Sequence, residues 1–281
     1  MSVIRTMIIT ASLVLAGHIA FAAHSWGNYH WARSANPMQK EINHNLTNSW
    51  LDHFHLAVSD WNLSNVLTLS SAPGNVNNLR RCSPKTGEIQ VCNDTYGFNG
   101  WLGVAGISVR GGHIESGYVK VNDSYFNSPT YDSYAWRQSV MCQEIGHIWG
   151  LGHNDEDFNN PSTGTCMDYS TDPTDNQHPD GHDFAMLGEI YEHLDVAPDG
   201  GDDGGSCNPR SPKCNAGNAL PNDAGIQLPD RSDLEGPQQW GRFISDHGPV
   251  ETFELDLGNG RRTITTVTWT IERAGGSHDD H

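Results

Sequence analysis

The sequence predicts an α+β fold, helices mixed with short strands and followed by a small β appendage. Three observations carry this. Apolar residues recur every three to four positions at Ile42, Leu46, Trp50, Phe54, Val58 and Trp61, the period of an amphipathic helix. Runs at 101–109 and 114–121, separated by Gly111-Gly112, read as strands. Nine Trp, eight Tyr and eight Phe in 281 residues are ample for a core.

In chain order, residues 1–22 read as a signal peptide. Arg5 gives the positive start, 7–16 is apolar, and Ala20-Phe21-Ala22 is a small-residue cleavage site. The apolar run is short of the roughly 20 residues that span a bilayer, so no membrane association is expected after cleavage. Residues 23–195 form the main domain. It opens on Trp26, Tyr29 and Trp31 and continues through a helix over 41–62 and a strand over 66–69. The two strands already named follow, then helices over 135–150 and 182–194. Only a few residues separate Ala22 from Trp26, and no cysteine-bearing pro-segment is expected there. Residues 196–210 are an acidic, Gly-rich linker. Residues 211–274 read as a small β-rich region, with Gly258-Asn259-Gly260 as a hairpin turn. Residues 275–281 are expected to be a disordered tail.

The formal charge is −18, from 16 basic and 34 acidic residues, which disfavours nucleic acid as a partner. Six cysteines allow fifteen pairings. Nearest neighbours would pair Cys82–Cys92, Cys142–Cys166 and Cys207–Cys214, in keeping with an oxidising, extracellular destination. Asn45, Asn62, Asn93 and Asn122 head N-x-S/T triplets, glycan acceptors in a eukaryotic secretory path.

The chemistry concentrates in 143–153, QEIGHIWGLGH. On a helix, positions four apart differ by roughly 40° around the axis, so Gln143 and His147 share a face and can share a metal. Glu144 lies about 100° around, near the same site and free to act as a base. Gly150 lets the helix stop and the chain turn, returning His153 as a third ligand. Three protein ligands plus water is how a catalytic zinc is held.

Here the chain resembles the metzincin metalloproteases, whose signature H-E-x-x-H-x-x-G-x-x-H precedes a methionine-containing turn. Glu144, His147, Gly150 and His153 match it, and Met167 within Cys166-Met167-Asp168-Tyr169 matches the methionine. Gln143 stands where the family has its first histidine. Either its carboxamide oxygen takes the ligand place, or the metal is lost and the fold serves as a module binding protein or glycan. The resemblance implies a metzincin-like catalytic domain with a twisted mixed sheet, an active-site helix and a C-terminal helix after the methionine turn. It also implies one catalytic zinc, Glu144 as general base, and a secreted endopeptidase acting on peptide or protein substrates. Tyr169 resembles a tyrosine that some metzincins place near the metal, with core packing as its other reading. A Cys142–Cys166 bridge would tie the metal-bearing helix to the methionine turn. The strand at 101–109 is expected as an edge that receives substrate as an added strand. Calcium is a weaker expectation at Asp155, Glu156 and Asp157, which lack EF-hand spacing. His178, His182 and His193 read as hydrogen-bonded residues rather than ligands.

Overall fold

A computed structural model of the chain describes residues 24–27, 29–157, 160–195, 240–246 and 250–274. The expected signal peptide, the linker, the Cys207–Cys214 pair and the C-terminal tail lie outside these residues.

Thr47 separates two elements where a single helix over 41–62 is expected. Before it runs β2 (Met38–Asn45) and after it α1 (Asn48–Trp61), with Thr47 itself extended at the N-cap. A spacing of four is even, so Met38 and Ile42 satisfy the two-residue period of a strand as well as the helical one. Both are buried on the core side. A two-residue β1 (His30–Trp31) precedes β2. β3 (Leu67–Pro73), β4 (Ile89–Asp94), β5 (Trp101–Arg110) and β6 (His113–Asn122) follow, and then a single turn of helix, α2 (Asp123–Phe126). Asn122 caps α2 by accepting from Ser124 N, and Asn93 bonds Thr47 N. Both asparagines are buried, which takes these two triplets out of glycan reach.

α3 (Tyr134–His147) starts where the Ser133 side chain accepts from Trp136 N. α4 (Gly181–Ile190) begins with a capping box between Asp180 and Asp183. Among the described residues three further strands follow, β7 (Arg242–Asp246), β8 (Val250–Gly258) and β9 (Arg261–Trp269), and then α5 (Ile271–Ala274). The β8–β9 turn is the expected one, and Gly258, Asn259 and Gly260 all have positive φ there.

All nine strands belong to one mixed sheet, in the order β3-β2-β4-β6-β5-β9-β8-β7, with β1 on the side of β6. β1 and β4 pair parallel with β6, and β2 pairs parallel with β3 and β4, whereas the β6-β5-β9-β8-β7 run pairs antiparallel. This corrects the β appendage: β9 continues the main sheet, from Trp101↔Trp269 to Arg110↔Arg261. It corrects the expected substrate edge too, because β5 is bonded on both sides. The physical reason is two-sided burial. Along β9, Ile264 faces the core that α1, α3 and α4 pack on the sheet, while Val267 and Trp269 join a second cluster with Trp101, Val104, Tyr118 and Trp240. An apolar strand such as β5 would otherwise leave its backbone donors and acceptors bare. The Cys82–Cys92 disulfide is present and packs into the second cluster, and Cys142–Cys166 joins α3 to the loop before α4. Among the described residues no helix is long and apolar enough to cross a membrane.

Candidate metal centre

α3 carries the site on a rigid, enclosed element, for every residue from Arg137 to His147 is buried. His147 is its last helical residue. Three residues on, Gly150 adopts φ +92°, and a Cβ at that position would collide with the carbonyl oxygen of Tyr29. Left-handed backbone and close approach both demand glycine here. The chain then reverses and pairs with the N-terminal segment, Trp26 N donating to Gly150 O at 2.8 Å and Gly152 N to His24 O at 2.7 Å. This return brings His153 back to His147, with their Nε2 atoms 3.1 Å apart. Trp26 stacks flat on the His147 ring at 5.0 Å.

The far side of each ring determines what these two nitrogens offer. His147 Nδ1 lies 2.8 Å from Leu151 O, a carbonyl that only accepts, so Nδ1 carries the proton. His153 Nδ1 faces Glu156 Oε1 at 3.5 Å. The two Nε2 atoms share a hydrogen bond in one tautomer of His153, and in the other they present two lone pairs that a cation can bridge. Donors on a tetrahedral zinc with bonds of 2.0–2.1 Å are about 3.3 Å apart, so the pair fits such an ion. Burial, and then the facing His153, hold His147 well below its ordinary pKa.

Glu144 is fully buried beside this pair. Its Oε1 accepts a 2.6 Å hydrogen bond from Thr268 Oγ1, and its Oε2 has no hydrogen-bond partner. Burial raises the carboxyl to about 8, against a smaller lowering by the Thr268 bond. Gly103 of β5 makes room, since a Cβ there would run into the carboxylate. Gln143 does not have its oxygen to itself: Thr268 Oγ1 is 3.1 Å from Gln143 Oε1, so one hydroxyl bridges both α3 side chains to β9.

Met167 lies under α3, where the missing side chain of Gly146 leaves space for its sulfur. The disulfide at Cys166 and a hydrogen bond from Asn154 N to Met167 O (2.7 Å) fasten this turn. Tyr169 approaches His153 edge-on at 5.9 Å, but its hydroxyl donates to Trp269 O of β9. Burial, then the nearby Glu144, push that phenol well above its usual value. Asp155 Oδ1 accepts from Asp157 N and Asp155 O from Tyr169 N, so the acidic turn braces the loop carrying His153. His178 pairs with Asp60 at 2.7 Å, and His182 stacks on His24 at 4.5 Å, where donor atoms of His24, His182 and Asp183 lie within 4.8 Å of one another.

A cleft of about 680 Å³ opens beside His153. Trp26 and Tyr29 line one side, and Ile244, Thr252 and Ile264 of β7, β8 and β9 the other. Sequence reasoning missed Thr268, Gly103 and Gly146. Thr268 is 124 residues from Glu144, and no local pattern announces it. The two glycines differ, since an isolated glycine in a strand or helix is itself a signal of close approach.

No family model and no curated protein matches this chain.

Proposed function

We propose that the chain is a secreted zinc endopeptidase of the metzincin type, acting on peptide or protein substrates. The observation that carries this reading is the pair of facing imidazole nitrogens, His147 Nε2 and His153 Nε2, 3.1 Å apart beside the buried Glu144, with His147 Nδ1 engaged by Leu151 O. His147 and His153 would hold the ion, with the Gln143 oxygen as a neutral third donor once it leaves Thr268. Zinc, when bound, supplies a Lewis acid and makes water more acidic. Glu144 does the proton work in its ionised form, which a bound cation would favour against the burial that raises the group to about 8. Its unpartnered Oε2 then takes the proton of the attacking water and returns it to the leaving amine, while Oε1 stays anchored on Thr268. The space at Gly103 lets the carboxylate lie against β5. The substrate reaches the site by the cleft beside His153, whose Trp26 and Tyr29 offer apolar contacts. The signal-like residues 1–22 and two disulfides support export.

A second reading is a non-catalytic metzincin-like module that binds protein or glycan. What favours it is Gln143, whose oxygen is turned onto β9, and the closure of β5 by that strand. One experiment separates the two: zinc analysis of the purified chain together with casein cleavage, with and without chelator. The enzyme reading expects chelator-sensitive cleavage. Glu144→Gln should keep its zinc and lose at least about 10²-fold in turnover. His147→Ala and His153→Ala should each lose the ion at this site. Unchanged turnover in Glu144→Gln removes the mechanism, and a protein that takes up no zinc at His147 and His153 leaves the binding module.

A further inference from the structure

Three imidazoles from separate parts of the chain converge on one carboxylate. His30 belongs to β1, His113 opens β6, and His193 follows α4, two residues before Asp195. Their Nε2 atoms lie 2.9 Å (His113), 3.4 Å (His30) and 3.5 Å (His193) from the same Asp195 Oδ1. The His30 ring stands edge-on to the other two, with centroids 4.8 Å away in each case. Hydrogen bonding alone explains this poorly, because two of the three contacts are beyond the usual N–H···O range of about 2.7–3.2 Å. A shared ion explains the inner three better: one donor atom from each of His30, His113 and Asp195 lies within 4.8 Å of the other two, while His193 stands outside that set.

The carboxylate is aimed in advance. Arg33 N donates to Asp195 Oδ2 at 2.8 Å, Asp195 N donates to Arg33 O at 2.8 Å, and Arg33 Nε donates to His193 O at 3.1 Å. Such outer hydrogen bonds fix the direction of metal ligands. The side chains of His30 and Asp195 are 13 % and 14 % exposed, while His113 and His193 are 42 % and 52 % exposed, so an ion has a route in from solvent.

We propose that His30, His113 and Asp195 form a divalent-metal site, with zinc as its occupant and His193 beside it on the Asp195 carboxylate. Two imidazoles and one carboxylate suit zinc, and water would complete the four positions. The ion would clamp the start of the domain, the turn between β5 and β6, and the segment that follows α4. The proposal stands independently of His147 and His153.

Metal-stripped full chain, titrated with zinc chloride and desalted before elemental analysis, tests it. His147→Ala protein should retain one tightly held zinc that raises its melting temperature. Cobalt in its place should give the strong visible bands of a four-coordinate site. Adding His113→Asn and His193→Asn should abolish the bands and weaken zinc binding by at least about 100-fold. The same two substitutions in the otherwise unaltered chain avoid disturbing α3, and they should remove one equivalent of zinc. Zinc content and cobalt bands that survive His113→Asn/His193→Asn overturn the site. If zinc then responds only to His147→Ala, the catalytic reading stands and this one fails.

Discussion

Burial raises the Glu144 carboxyl to about 8 because a charge loses its water there, and the same physics acts on Lys40 in the opposite direction. The Lys40 ammonium lies 3.7 Å over the Trp31 ring, a favourable contact, yet burial brings it from 10.5 to about 8. Below pH 8 the amine is charged in both folded and unfolded chain, and folding bears the full desolvation cost. Between about 8 and 10.5 the unfolded chain binds more protons, so stability from this group rises with pH. Lys40→Met should therefore melt higher than the parent at pH 7, by about 2–4 °C for each 1 kcal/mol recovered. The advantage should shrink as pH rises from about 8 and be gone only above 10.5, where the parent is neutral both folded and unfolded. An advantage that does not vary with pH would assign it to packing instead. At this scale the sequence made the site half legible. Glu144, His147, Gly150 and His153 follow from helical spacing and one turn, whereas the Thr268 hydroxyl that engages Glu144 and Gln143 could not be read from either neighbourhood.

Among the elements, α3 depends on β5 having no side chain at Gly103. Gly103→Ala should displace the Glu144 carboxylate and cost about 1–3 kcal/mol, the usual price of overpacking a core. If the proposed chemistry holds, turnover should fall with it. Gly188→Ala in α4 is the control: nothing lies within 4 Å of its Cβ position and its φ is ordinary. It should stabilise by about 0.4–1 kcal/mol through the unfolded chain. Paired thermal melts decide both, and a neutral Gly103→Ala would show that α3 can shift freely. The helices α3 and α4 were legible because period and start signals agree, with Ser133 and Asp180 at their N-caps. β2 was not, because spacings of four serve strand and helix alike. β4 was masked by its cysteine, which reads as part of a loop.

For the whole molecule, the boundary expected at 195 is not where the fold ends, because β9 lines the full length of β5. A chain stopped at 195 loses Val267 and Trp269 from the second core cluster and bares β5 as an edge. It should be poorly soluble or aggregated, measurable by gel filtration and circular dichroism. A monomeric 24–195 fragment with a cooperative melt would restore the two-unit view. The pairing of β5 with β9 was illegible for a simple reason: partners such as Ala105 and Thr266 are 161 residues apart, and strand pairing over that distance leaves no local trace. The same separation sets an order in time. Closing so long a loop is slow, and a ribosome delivers the N-terminal part of a chain first. While the protein is still being made, α3 and β5 can meet before Thr268 exists. The wall around Glu144 is finished only once Thr268 has been made, 124 residues after the carboxylate it holds.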